Sequence, residues 1–280
     1  MLSFRILGPI EIISPLGAVR LKGVLQRTLL ASLLINVGKL VPTESLIDEL
    51  WADSPPDGVE NALHAHVSRL RRRLASLEPE TQATRLITHP SGYRLIAELG
   101  ELDVSTFMAG TERLRNQLSS ASSPAGAVSA ATVQEIRRLL ALWRGPACGG
   151  FLRGARSQAA AALYQETRLG ALEMLFDCEL ELGQHRQIIP ELNELLMSHP
   201  YKERFRQQLM VALYRSGRQA EALDVYRALR HQLSHDLGLK PSPTMREYER
   251  AVLEQDPVLN VVDPATRGVP LSPPLQHQAY

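Results

Sequence analysis

Residues 61–74, NALHAHVSRLRRRL, place four arginines in five consecutive positions and contain no acid. At about 100° per residue, Leu63, Val67, Leu70 and Leu74 fall within about 60° of one another, the apolar stripe of a helix that packs on a core. The opposite side carries Asn61, Ala65, Ser68, Arg69 and Arg72, with His64 at its edge. His66, Arg71 and Arg73 lie on the flanks, where long side chains can snorkel outward. A face kept merely soluble would mix Glu with Lys to gain i,i+4 pairs, and this one does not. Taken alone, the stretch fits either a solvated face or a surface shaped for a polyanion.

The neighbouring sequence narrows the choice. Residues 61–94 hold six arginines against Glu78 and Glu80, although the whole chain of 280 residues carries a formal charge of only +1. Basicity is therefore local, as a docking face requires. Before this helix, LSFRILGPIEII and AVRL read as short strands broken at Gly8-Pro9 and at Ser14 to Gly17. VLQRTLLASLLINVG reads as a helix ending near Gly38, and TESLIDELW as a second helix with Thr43 as its N-cap. RLITHPSGYRLI gives two β runs around His89, Pro90, Ser91 and Gly92, a hairpin. A helix that enters the major groove needs a supporting helix and extra groups that grip phosphate. Arg27, Thr43, His89 and Arg94 could supply that grip, with Arg71 on the flank. Asn61, Ser68, Arg69 and Arg72 are chemically able to read base edges, Ala65 could meet a thymine methyl, and His64 and His66 fit DNA-facing or surface groups.

From Asp103 onward nearly everything reads as helix, with segments expected at 103–118, 130–143, 154–182, 185–198, 202–216, 218–236 and 243–254. LELGQHRQIIPELNELL and YRSGRQAEALDVYRALR align with Gly183 on Gly217, an offset of 34 residues. That is the tetratricopeptide period, though generic antiparallel helices give a similar echo. The last 25 residues contain five prolines and no helical period, which reads as a mobile tail over 256–280.

Other chemistry finds little purchase. The chain has no phosphate-cradling glycine loop, no H-E-x-x-H and no G-x-S-x-G elbow, so it is not expected to be an enzyme. His64 and His66 stand two apart on a helix and cannot share a metal, and no cofactor is expected. Cys148 and Cys178 lack metal-ligand spacing and fit a reducing cytosol. GPACGGF around Cys148 reads as an interhelical turn. No signal peptide or membrane span is legible.

LIDELWADSPPDGVENALHAHVSRLRRRL with RLITHPSGYRL resembles the winged-helix DNA-binding domain of response regulators, and more closely that of the Streptomyces antibiotic regulatory proteins, a family of transcriptional activators. ALWRGPACGGF and the run from LELGQHRQ to LEQDP resemble the same family's bacterial transcriptional activation domain. The resemblance runs from about Phe4 to Pro257. It implies an α+β winged helix at 1–97, an all-α tetratricopeptide-like array at 103–255, and activation of an antibiotic or other specialised-metabolite gene cluster. It further implies binding of double-stranded DNA at tandem direct repeats, a homodimer on DNA, recruitment of RNA polymerase holoenzyme with its sigma factor, and a cytoplasmic, nucleoid-associated protein. By motif position, Arg69 and His66 match DNA-touching helix residues, and His89 stands where the wing commonly offers an arginine. The family's first-helix Pro-Lys-Gln-Arg is here VLQR, so only Gln26 and Arg27 carry over. Neither a receiver domain nor an ATPase module is seen, which suggests a short form regulated by abundance or a ligand. A protein-binding tetratricopeptide scaffold and a ligand-gated repressor are the rival readings.

Overall fold

A computed structural model describes residues 2–15, 17–52, 54–79, 84–120, 128–152 and 154–260. They form two compact units, Met1–Glu112 with Arg138–Leu169, and Arg113–Arg137 with Gly170–Tyr280.

The first unit opens with an antiparallel sheet of β1 (Ser3–Arg5), β2 (Glu11–Ser14) and β3 (Gly17–Val19), in which Phe4 faces Ile12 and Ile12 faces Val19. Next comes α1 (Val24–Ile35), in which every residue from Thr28 to Leu34 is buried. Seven consecutive buried residues cover all sides of the helix there, which places that part of α1 inside the core. The two-residue strand β4 (Val41–Pro42) leads directly into α2 (Thr43–Trp51), followed by α3 (Val59–Leu77) and the hairpin β5 (Leu86–His89) and β6 (Gly92–Leu95). The second sheet has the order β4-β6-β5, with Val41 opposite Tyr93 and His89 opposite Gly92.

Strand β4 corrects one expectation. Thr43 is the first helical residue and not the N-cap. Pro42 occupies the cap without a side-chain bond, and the Thr43 N–H donates to the Ser91 carbonyl at 3.1 Å. The reason is tertiary: pairing of Val41 and Pro42 with β6 carries the extended chain to the helix start, so a hairpin carbonyl satisfies the orphan donor that a cap would otherwise take. The same pairing explains the glycine in the HPSGY turn. A Cβ on Gly92 would stand 2.1 Å from the Val41 carbonyl oxygen, so no side chain fits.

The α3 stripe lies where its period placed it: Leu63, Val67, Leu70, Leu74 and Leu77 are all buried. Leu70 is 0 % exposed. Leu70→Ala is therefore expected to lower the unfolding free energy by about 2–5 kcal/mol, measured by urea denaturation. A loss under about 1 kcal/mol would mean that α3 is rotated from this placement.

The remaining helices are α4 (Asp103–Ser120), α5 (Ala130–Leu140), α6 (Ala155–Glu181), α7 (His185–Ser198), α8 (Glu203–Arg215), α9 (Gln219–Gln232) and α10 (Pro243–Glu254). In the second unit the 34-residue echo is structural. Gly183 and Gly217 both take left-handed φ, at +74° and +78°, in the turns after α6 and α8. Ile188 and Ala222, and Leu192 and Tyr226, are buried at matched positions of α7 and α9. Two helix–turn–helix copies thus stack through equivalent faces.

Residues 256–260, which the sequence assigns to the tail, are held by the helices. Pro257–Leu259 form a short 3-10 turn, Leu259 is buried, and Arg215 Nε donates to the Leu259 carbonyl at 2.6 Å. Arg215 Nη1 donates to the Leu180 carbonyl at 2.7 Å, tying the α6 end to the same point. The rest of the expected tail, residues 261–280, lies outside the described residues.

Candidate nucleic-acid interface

Packing the leucine stripe inward turns Asn61, His64, Ala65, Ser68, Arg69 and Arg72 outward, and all six are exposed. Arg69 Nε leans back on its own helix, 3.3 Å from the Ala65 carbonyl. The His64 ring meets the buried Tyr93 edge-on at 6.4 Å, which places it between the helix and the hairpin. Arg73, absent from the sequence-derived site, is exposed beside Arg72. Among the described residues, none of Arg69, Arg71, Arg72 and Arg73 forms an ion pair. A helix face with several unneutralised guanidinium groups over a fixed apolar base is suited to a polyanion.

His66 and Arg71, both on the flanks of α3, are engaged within the protein. His66 is half-buried between α1 and α2: Gln26 Nε2 lies 2.8 Å from its Nδ1 and donates to its carbonyl at 3.1 Å, and the Trp51 ring meets it edge-on at 6.0 Å. Burial, with a smaller effect from the Arg69 charge, lowers its pKa and favours the neutral ring. Arg71 bridges to the hairpin. Its Nε donates to the Leu86 carbonyl at 3.0 Å and its Nη2 to Thr88 Oγ1 at 2.7 Å, fixing β5 against α3.

The phosphate-grip candidates sit on α1, α2, β5 and β6. Thr43 is half-buried at the start of α2, and Arg94 is exposed on β6. His89 is exposed at the hairpin turn, where its Nδ1 lies 3.0 Å from Ser91 Oγ. Arg27 in the first turns of α1 is half-buried, its guanidinium 4.5 Å from the Phe151 ring centroid.

Arg85, counted with the basic segment on sequence, contributes no free charge. It pairs with Glu78 and, at 2.8 Å, with Glu101, and the three side chains are largely buried. The arginine's hydrogen bonds hold both carboxyls below the usual carboxylate range. The only sequence hint was the acid at Glu78 closing α3; Glu101 lies beyond the hairpin. Sequence reasoning also missed Gln26 as the support for His66, since 40 residues separate them.

Comparison with known proteins gives consistent results. Residues 23–95 match the family model described as "Transcriptional regulatory protein, C terminal", and residues 102–253 match "Bacterial transcriptional activator domain". The transcriptional regulator RedD of Streptomyces coelicolor is 39 % identical over 258 residues, 92 % of this chain and 72 % of RedD. The regulatory protein AfsR of the same organism is 35 % identical over 95 % of this chain, which spans only 25 % of AfsR. A solved structure of Mycobacterium tuberculosis EmbR in complex with a low affinity phosphopeptide superposes with a TM-score of 0.80 at 30 % identity, covering 91 % of this chain and 66 % of that one.

Proposed function

Because this chain belongs to the Streptomyces antibiotic regulatory protein family of transcriptional activators, we propose that it binds double-stranded DNA by laying α3 in the major groove. The family comprises transcription regulators and not enzymes. In this reading the sites are tandem direct repeats beside a promoter of a specialised-metabolite gene cluster. Two protomers occupy the repeats, and the helical array recruits RNA polymerase with its sigma factor. Linked weak contacts on adjacent repeats raise effective affinity without new base contacts. The proposed site of action is the nucleoid in the cytoplasm; no described helix is long and apolar enough to cross a membrane.

One observation carries the reading: the α3 face opposite the buried leucines bears Arg69 and Arg72, exposed and without an acidic partner among the described residues. Arginine suits guanine O6 and N7, asparagine suits adenine, and Ala65 can meet a thymine methyl. His66 and Arg71 take supporting parts, the first setting the rotation of α3 and the second holding the hairpin. Thr43, His89, Arg94 and Arg27 serve as phosphate contacts.

Footprinting of the full chain on candidate promoters, with and without polymerase, locates the sites. On a site so found, Arg69→Ala is expected to weaken binding by on the order of 1–3 kcal/mol and to leave the melting temperature unchanged. Wild-type affinity in a gel shift would remove Arg69 from the recognition face. Binding that does not weaken with added salt would favour the protein-scaffold reading, since phosphate contacts release counterions.

A further inference from the structure

The ACGGF turn, residues 147–151, is bound firmly to the first unit. Cys148 N–H donates to the Ile6 carbonyl at 2.7 Å, and Gly149 N–H donates to the Pro146 carbonyl at 2.9 Å. Cys148, Gly149 and Gly150 follow one another with φ of +53°, +76° and +70°. Three successive left-handed residues reverse the chain tightly, and glycine is the residue that tolerates this backbone. Close approach reinforces the need: a Cβ on Gly149 would stand 3.0 Å from the Phe151 ring. The result is a ring presented at a fixed point on the first unit.

Above that ring lies Arg27. Its Cζ is 4.5 Å from the Phe151 centroid, and its Nε is buried with no hydrogen-bond partner. Among the described residues no carboxylate pairs with it. The α1 N-terminus beside it has no acidic residue in its first turn and no side-chain cap. A guanidinium partly withdrawn from water, stacked on a ring and left without an anion has donors for an acceptor outside the chain.

We propose that Phe151 is a positioning residue for nucleic-acid binding: its ring, fixed by the ACGGF turn, holds the Arg27 guanidinium in place to donate to a DNA phosphate. The proposal rests on the DNA-binding reading above. It assigns a residue of the activator-domain match, 102–253, to the DNA contact of a residue in the winged-helix match, 23–95.

The test uses the full chain and a fluorescent mixed-sequence duplex, with affinity measured across salt from about 50 to 200 mM. Arg27→Gln is expected to reduce the slope of log affinity against log salt by about one. Phe151→Leu keeps apolar bulk and removes the ring. It is expected to weaken binding about 2- to 5-fold and to move the slope toward that of Arg27→Gln, while Phe151→Tyr restores both. The double variant is expected to bind no more weakly than Arg27→Gln alone. A purely structural contact would lower the melting temperature without moving the slope, which overturns the proposal, as would additive losses in the double variant. Arg27→Lys keeps the charge but not the planar stack, and is expected to weaken binding as much as Phe151→Leu does. Undiminished affinity of Arg27→Lys overturns the proposal even if Phe151→Leu fails to fold. A wild-type chain that binds no duplex overturns the DNA-binding reading and this one with it.

Discussion

Arg85→Ala is expected to lower the unfolding free energy by about 3–5 kcal/mol, as large a loss as any single side chain of the winged-helix region should give. Arg85 lies between Glu78 at the end of α3 and Glu101 before α4, with side chains 16 %, 10 % and 6 % exposed. Removing the cation leaves two buried carboxylates facing one another with no positive charge between them. The Leu2 N–H also donates to Glu78, at 3.1 Å, so the first strand is drawn into the same disruption. The effect has a definite pH dependence. In the wild type both carboxyls titrate below their unfolded values, so their contribution is present above about pH 4.5 and is lost as pH falls through the folded pKa values. Without Arg85, mutual repulsion and burial raise these pKa values instead, and protonation then relieves the strain. The deficit of Arg85→Ala relative to wild type should therefore narrow between about pH 7 and pH 4. Urea denaturation at several pH values measures it, and a deficit that is constant or widens toward acid would refute the assignment.

Fragment 1–97 is expected not to fold cooperatively, although it contains every helix and strand of the winged-helix pattern. Ile6 and Leu7 are fully buried, and their backbone groups depend on residues beyond the cut. The Asp103 carboxylate accepts from Ile6 N–H at 2.8 Å and from Leu7 N–H at 3.1 Å. The Ile6 and Leu7 carbonyls accept from Cys148 N–H and Arg144 N–H, each at 2.7 Å. Farther along, Glu49 of α2 is 6 % exposed and caps the start of α6. It accepts from Arg156 N–H at 3.0 Å and from the Ser157 backbone and hydroxyl. That cap also explains Gly154, where a Cβ would meet the Glu49 carboxylate at 2.2 Å. Truncation leaves a run of orphaned groups at about 1–3 kcal/mol each where they stay buried, together comparable with the roughly 5–15 kcal/mol that hold a domain. Loss of amide dispersion and of a cooperative melt is the expected result. A fragment cut after Asn260, which keeps the Arg215 contact to Leu259, should melt as the full chain does. A well-dispersed spectrum for 1–97 would show that Arg138–Leu169 is not integral to the first unit.

What the sequence determined by itself is what repeats locally. The 3.6-residue spacing of Leu63, Val67, Leu70 and Leu74 defined the buried side of α3 and, by subtraction, its exposed arginines. The 34-residue echo and its two glycines located equivalent turns, and Gly92 marked the hairpin. Each of these signals lies within a few turns of chain or one repeat, where period and turn chemistry act directly on the backbone. Tertiary structure alone decided which cations remain free. Among the described residues Arg69 and Arg72 have no acidic partner, while Arg71 is drawn to Thr88, His66 to Gln26 and Trp51, and Arg85 to Glu78 and Glu101. It also decided where the first unit ends, because the bonds that close it join residues 97 and 108 positions apart. A charge in a string of letters has no partner until folding supplies one, and burial then sets the cost of leaving it alone.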